Sequence, residues 1–196
     1  MRAFAIASVI FTAALGVFAS PVIERQTPAS VAVVFAGLSN TVTPLANQLL
    51  YATPQNATQE ILTPIISSIG TAVTGAVSDL TLLVGLPLEV ILASVDGLTI
   101  LAVADVASIV AELVNLIFTA ASTVLLVVDI TIYSVISVLL STLGTLVFSL
   151  LTVVLGLVGG LLSPLLILIG PVLSIISGLG LTSLLGELLG GLLGGL

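Results

Sequence analysis

Polar residues are the minority in this chain, and their spacing dictates a helix. Asp105, Ser108, Glu112, Asn115, Thr119 and Ser122 follow one another at intervals of 3, 4, 3, 4 and 3 residues. At about 3.6 residues per turn that rhythm puts them on one face. Asn56, Glu60, Thr63, Ser67, Thr71, Thr74 and Ser78 keep the same rule, and so do Ser134, Ser137, Ser141, Thr145, Ser149 and Thr152. Many residues in between are Val, Ile and Thr, which favour strands, but propensity is weaker evidence than period and no long run alternates strictly. The expected fold class is all-α.

Each polar stripe is narrow, so each apolar sector is wider than the roughly 100° stripe with which a surface helix meets its core. Such helices have to be covered on several sides. Breaks are expected at Pro54, at Gly85 to Pro87, at Asp96-Gly97, near Asp129, at Gly159-Gly160 and at Gly170-Pro171. They divide the chain into about five to seven helices, packed as hairpins or a loose bundle with a Gly/Leu-rich tail.

The charge inventory restricts function. Hydrophobic residues make up 59% of the sequence and charged ones 6%, with Arg2 and Arg25 as the only cations and no His or Cys. That is too little charge to cover a globule, so apolar surface is either exposed or wanted. A triad needs a His, and Schiff bases and phosphate loops need a Lys. Zinc sites need His or Cys ligands. Asp79, Glu89, Asp96, Asp105, Glu112 and Asp129 are scattered singly, and no Trp is present to stack a sugar. No catalytic residue, metal ligand or cofactor-binding residue is identified, and the chain is expected not to be an enzyme. Nucleic acid and anionic lipid head groups are poor partners, because binding phosphate needs clustered cations.

The segments are read as follows. Residues 1–19 have the form of a signal peptide, with Arg2 ahead of an apolar run and Val17-Phe18-Ala19 at a cleavage point after Ala19. Residues 20–25 are a candidate pro-segment cleaved after Arg25. Either cut leaves an expected net charge of −8: nine acids with one Arg, or eight acids with none. Residues 26–60 are more polar, punctuated by Pro28, Pro44 and Pro54, and carry the sequon Asn56-Ala57-Thr58, a candidate N-glycosylation site. Residues 61–158 form a helical apolar region. Residues 159–196 are a Gly/Leu/Pro-rich tail in which Leu-Leu recurs at 184/185, 188/189 and 192/193 with Gly186, Gly190 and Gly194 in the same register. Small residues four apart allow close helix approach in an apolar medium, and Gly156/Gly160 and Ser137/Ser141/Thr145/Ser149 share that spacing. From Ile130 to Gly186 no residue is charged, which by hydropathy leaves room for two membrane-spanning helices, although Gly and Pro interrupt the run.

Taken together, the leader ending Val17-Phe18-Ala19, the stretch from Ser20-Pro21 to Glu24-Arg25-Gln26, the more polar first part and the cysteine-free apolar second part resemble secreted, non-hydrophobin cell-wall and matrix proteins of mushroom-forming fungi. The resemblance implies a role in aerial hypha formation and attachment to hydrophobic surfaces. The expected function is that of a secreted, surface-active structural protein, located outside the cell in wall or matrix. Its expected partners are apolar interfaces, cell-wall components and other copies of itself. A membrane-inserted, pore-forming helical protein is the alternative, and a lipid carrier a further one.

Overall fold

The computed structural model describes residues 30–172, together with residues 175 and 177. The candidate signal peptide, the candidate pro-segment with Arg25, and the Leu-Leu/Gly repeats of the tail lie outside the described residues. Every regular element is helical: α1 (Val31–Leu50), α2 (Gln59–Thr81), the single turn α3 (Leu88–Ile91), α4 (Val103–Val127), α5 (Ile130–Leu157) and α6 (Leu162–Ile169), followed by a short 3-10 turn. The all-α expectation holds, with breaks where Pro, Gly and Asp were expected to place them.

Local chemistry starts two of the helices. The Ser30 Oγ accepts from the Val33 N–H at the head of α1 and is thereby satisfied although fully buried. Asp129 caps α5, accepting from the Thr131 N–H at 2.8 Å. At α4, Asp105 reaches back to the Ala102 N–H, but Ala102 has no side-chain acceptor, so only half of a capping box forms. Pro44 and Pro64 lie inside helices, where a missing N–H normally breaks the ladder. Both rings are exposed, as are Asn40 and Glu60, so water reaches the two carbonyls left without a donor.

Lining residues of the surface grooves fix the helix directions. Val34 to Thr41 of α1 lie beside Thr71 to Asp79 of α2, and Pro44 to Gln48 lie beside Ile61 to Ile65, so these two are antiparallel. Ser67 and Gly70 of α2 lie beside Leu139 to Leu146 of α5, and Thr81 lies beside Thr152 and Gly156, so α2 and α5 run the same way. Phe118 of α4 meets Phe148 of α5 with ring centroids 6.4 Å apart, which requires the chain to double back at Val128-Asp129. The directions therefore alternate along the four long helices: up, down, up, down. We call the end with the α1–α2 and α4–α5 connections the top, and the end with the α2–α4 connection the bottom.

Helix α4 has α1, α5 and α6 packed around it. Its buried set runs from Val106 to Val124 and includes Ala107, Ala111, Ala120 and Ala121, small residues that let neighbours close in. The breadth of its apolar sector is thus matched by three covering helices. Asn115, from the polar stripe, ties α6 down by donating from Nδ2 to the Leu168 carbonyl at 3.2 Å.

Three details differ from expectation. Asn56 is not on the α2 stripe but in the turn before it, because α2 begins at Gln59. Gly156 and Gly160 make no close helix contact: α5 ends at Leu157, Gly160 sits in the following turn, and a side chain at Gly156 would meet nothing within 4 Å. The more polar stretch 26–60 is not separate from the helical region, since residues 31–50 form α1 and bury Phe35, Leu38, Val42 and Leu49 in the common core.

Candidate functional site

Among the described residues no three His, Cys, Asp or Glu side chains gather where they could hold a metal ion. Asp79 is half-buried, and Glu60, Glu89, Asp96, Asp105, Glu112 and Asp129 are exposed. The structure brings none of these acids together as a site. Three of them, Asp96, Asp105 and Asp129, serve local geometry. The Ser94 hydroxyl, and after it the Leu98 N–H, hold the Asp96 carboxyl below its ordinary pKa, and the Thr131 N–H does the same for Asp129.

What the fold does assemble is exposed apolar surface. The connection between α2 and α4 forms a bottom lobe that is anchored by Leu83, Ile91 and Leu92, all buried. Its second half is a small hairpin: Ala93 pairs with Ile100, the Leu101 N–H donates to the Leu92 carbonyl at 2.8 Å, and Asp96-Gly97 makes the tip. Gly85 and Gly97 have φ of +88° and +71°, which only glycine adopts without strain. Around these anchors Leu82, Val84, Leu86, Leu88, Val90, Val95, Leu98 and Ile100 are exposed, Leu98 to 82%. Summed over the eight, that exposure equals between four and five whole side chains.

A second patch lies at the top, at the α4–α5 corner, where Leu126, Ile130, Tyr133, Val135 and Val138 are exposed. Ile167 and Leu168 add a small one on α6. Between the ends the picture reverses. Over residues 62–81, 103–125 and 139–157 no large apolar side chain is exposed. The outward faces there carry the Ser and Thr stripes.

Those stripes ask little of water. Ser68, Thr71, Thr74, Ser78 and Thr81 on α2 each donate a hydroxyl to the carbonyl four residues back, at 2.7 to 3.1 Å. Thr142, Thr145, Ser149 and Thr152 on α5 repeat the bond. A hydroxyl committed to its own helix in this way has its donor satisfied and leaves the face mildly polar, whereas Thr63 Oγ1 on the α2 stripe is buried without a partner. The groove of about 540 Å³ between α2 and α5 is lined by such residues, including Thr71, Thr74 and Thr142, and so offers few free donors to a polar ligand.

Asn56, the candidate glycosylation residue, lies exposed in the α1–α2 turn at the top. Its Oδ1 accepts from the Thr53 N–H at 2.6 Å, and its Nδ2 reaches the Tyr51 carbonyl only at 3.5 Å. The cleavage points after Ala19 and Arg25 lie outside the described residues.

The bottom lobe was not legible as a site. Its sequence shows breakers at Gly85-Leu86-Pro87 and Asp96-Gly97 within an apolar run, which announces a connection but not its exposure. Comparison of the chain with protein-family models, with curated protein sequences and with solved structures finds no match in any of the three.

Proposed function

We propose that this is a secreted, non-catalytic, surface-active structural protein that coats or assembles at hydrophobic interfaces, in the cell wall or matrix. One observation carries the proposal: large apolar side chains are exposed mainly in a lobe and a corner at the ends of the bundle, while its flanks carry hydroxyls and, of the large apolar residues, expose Ile167 and Leu168 on α6. A contiguous exposed apolar patch on a folded chain marks a surface that meets something apolar. Self-satisfied Ser and Thr stripes support the same role, because a flank built of them can rest in water or against an apolar phase. Attachment of hyphae to hydrophobic surfaces, implied by the sequence layout, is one setting in which such a chain would work.

A second function has an observation of its own in favour. Gln59–Thr81, Val103–Val127 and Ile130–Leu157 are long and apolar enough to cross a membrane. A membrane-spanning bundle, however, presents apolar flanks to lipid and keeps polar groups at its ends. Most of the exposed apolar residues here are distributed the other way, Ile167 and Leu168 on α6 excepted.

The deciding experiment uses the protein purified from culture medium or wall extract. Adding it to water should lower the surface tension, and a layer adsorbed on alkylated glass should survive rinsing with buffer. Unchanged surface tension and loss of the layer on rinsing would refute the surface-active role. Recovery only with membranes after carbonate washing would replace it with insertion.

A further inference from the structure

We propose that Asn56 carries an N-linked glycan and that this hydrated group marks the water-facing end of the molecule, opposite the bottom lobe. The inference rests on the secreted, surface-active function argued above and adds to it a modification site and an orientation.

The sequence contains four asparagines, and Asn56 alone stands in the pattern Asn-X-Thr, as Asn56-Ala57-Thr58. The fold places it well. Residues 51–58 form the exposed connection between α1 and α2, and within the sequon Ala57 is buried while Asn56 and Thr58 point outward. Ala57 therefore anchors the turn to the core and holds its two neighbours in solvent. The Thr58 side chain makes no capping hydrogen bond although it occupies the N-cap position of α2, so its hydroxyl is not committed to the helix. The Asn56 Oδ1 bond to the Thr53 N–H fixes the amide, while Nδ2 has only the long contact with the Tyr51 carbonyl.

The transfer itself is a substitution at carbon. Nδ2 of Asn56 attacks the anomeric C1 of an oligosaccharide held as a polyprenyl diphosphate ester. The C1–O bond to phosphate breaks as the N–C1 bond forms, and the polyprenyl diphosphate leaves with the electron pair. The amide proton passes to a base of the transferase. In the product one amide hydrogen has been replaced, and Oδ1 still accepts from the Thr53 N–H.

The surroundings suit a sugar. A groove of about 370 Å³ beside the turn is lined by Pro44, Asn47, Gln48, Tyr51 and Ile61, which pair two amides with an aromatic ring that is 80% exposed. Amides hydrogen-bond sugar hydroxyls, and a ring face packs against the apolar face of a pyranose. The length of α2, about 35 Å at 1.5 Å per residue, separates this turn from the bottom lobe. A glycan at the top stands at the same end as the α4–α5 corner and keeps that end in water. The lobe is then the apolar end that carries no sugar, and the top combines a hydrated head with the smaller apolar corner.

The test expresses the full chain in a secreting fungal host as wild type, Asn56→Gln, Thr58→Ala and Thr58→Ser. Intact mass is read before and after peptide-N-glycosidase treatment in heavy-oxygen water. The wild-type chain should be heavier than its bare polypeptide by a glycan, lose that mass on treatment and gain the oxygen label in the peptide holding position 56. Asn56→Gln and Thr58→Ala should appear at bare mass, and Thr58→Ser should recover part of the modification. Wild-type protein recovered from the medium at bare mass overturns the glycan while leaving the interfacial function standing. Protein found only inside the cells, with its leader uncut, overturns both. A layer of wild-type protein adsorbed on alkylated glass should release its glycan to the enzyme as completely as protein in solution. Protection of the glycan in the layer alone overturns the orientation.

Discussion

Replacing Leu88, Val95, Leu98 and Ile100 together with Ser should strip the bottom lobe of its grip on apolar surfaces and leave the fold intact. Their combined exposure is equivalent to about two and a half whole side chains. Full transfer of such side chains out of water is worth roughly 1.5–3 kcal/mol each, or about 4–8 kcal/mol for the four. Side chains arranged around a hairpin cannot all face one plane, so about half of this, roughly 2–4 kcal/mol, should be realised on adsorption. At about 1.4 kcal/mol per factor of ten, adsorption weakens roughly 30- to 700-fold. The assay is an isotherm on alkylated silica beads, with bound protein measured against free. Because the four side chains are exposed, each change should cost under about 0.5 kcal/mol of folding stability. The circular dichroism spectrum and melting point should therefore match those of the wild type. A variant that melts normally and binds the beads within threefold of wild type would show that the lobe is not the contact surface.

Four further outcomes follow from particular residues. As pH falls through about 5 to 4 and free carboxylates protonate, repulsion between copies fades and the protein should self-associate, with light scattering as the measure; a flat trace excludes charge as the barrier. Asp129 binds its proton less readily folded than unfolded, so its cap stabilises α5 above the ordinary pKa of 3.8, and this contribution is lost as pH drops through the lowered folded value. At neutral pH Asp129→Ala should accordingly lower the midpoint of chemical denaturation, and an unchanged midpoint refutes the capping role. Phe118→Ala should cost about 3–5 kcal/mol, because a ring that is 1% exposed and packed on Phe148 leaves a cavity. Gly37→Ala and Gly75→Ala, at helix positions where a new Cβ meets nothing within 4 Å, should each stabilise by up to about 1 kcal/mol, read as a higher melting temperature.

How much of this was readable in advance differs between the fold and the site. The period of the polar residues identifies the helices because it is a local property: a turn returns to the same face every three or four positions wherever the helix is placed. Breakers act locally as well, so Pro54, Gly85 to Pro87, Asp96-Gly97 and Asp129 fell where the chain turns. Pro44 shows the limit of that logic, since a proline whose freed carbonyl faces water can remain inside a helix. Asn56 shows another, because residues one turn ahead of a helix share its spacing without belonging to it.

By itself the sequence determined that this chain forms very apolar helices with narrow hydroxyl stripes, has no His or Cys to do chemistry, and carries an acidic excess. Tertiary structure alone decided which apolar residues are hidden. Leu80 and Leu83 are buried while Leu82 and Val84 between and beside them are exposed, and Ile91 and Leu92 are buried while Leu88 and Val90 are not. These residues are alike in kind and neighbours in sequence, so nothing local separates them. Exposure depends on whether another helix arrives to cover a face, and among the described residues none covers these side chains of the bottom lobe. That is where the fold leaves the most apolar side chains in the open.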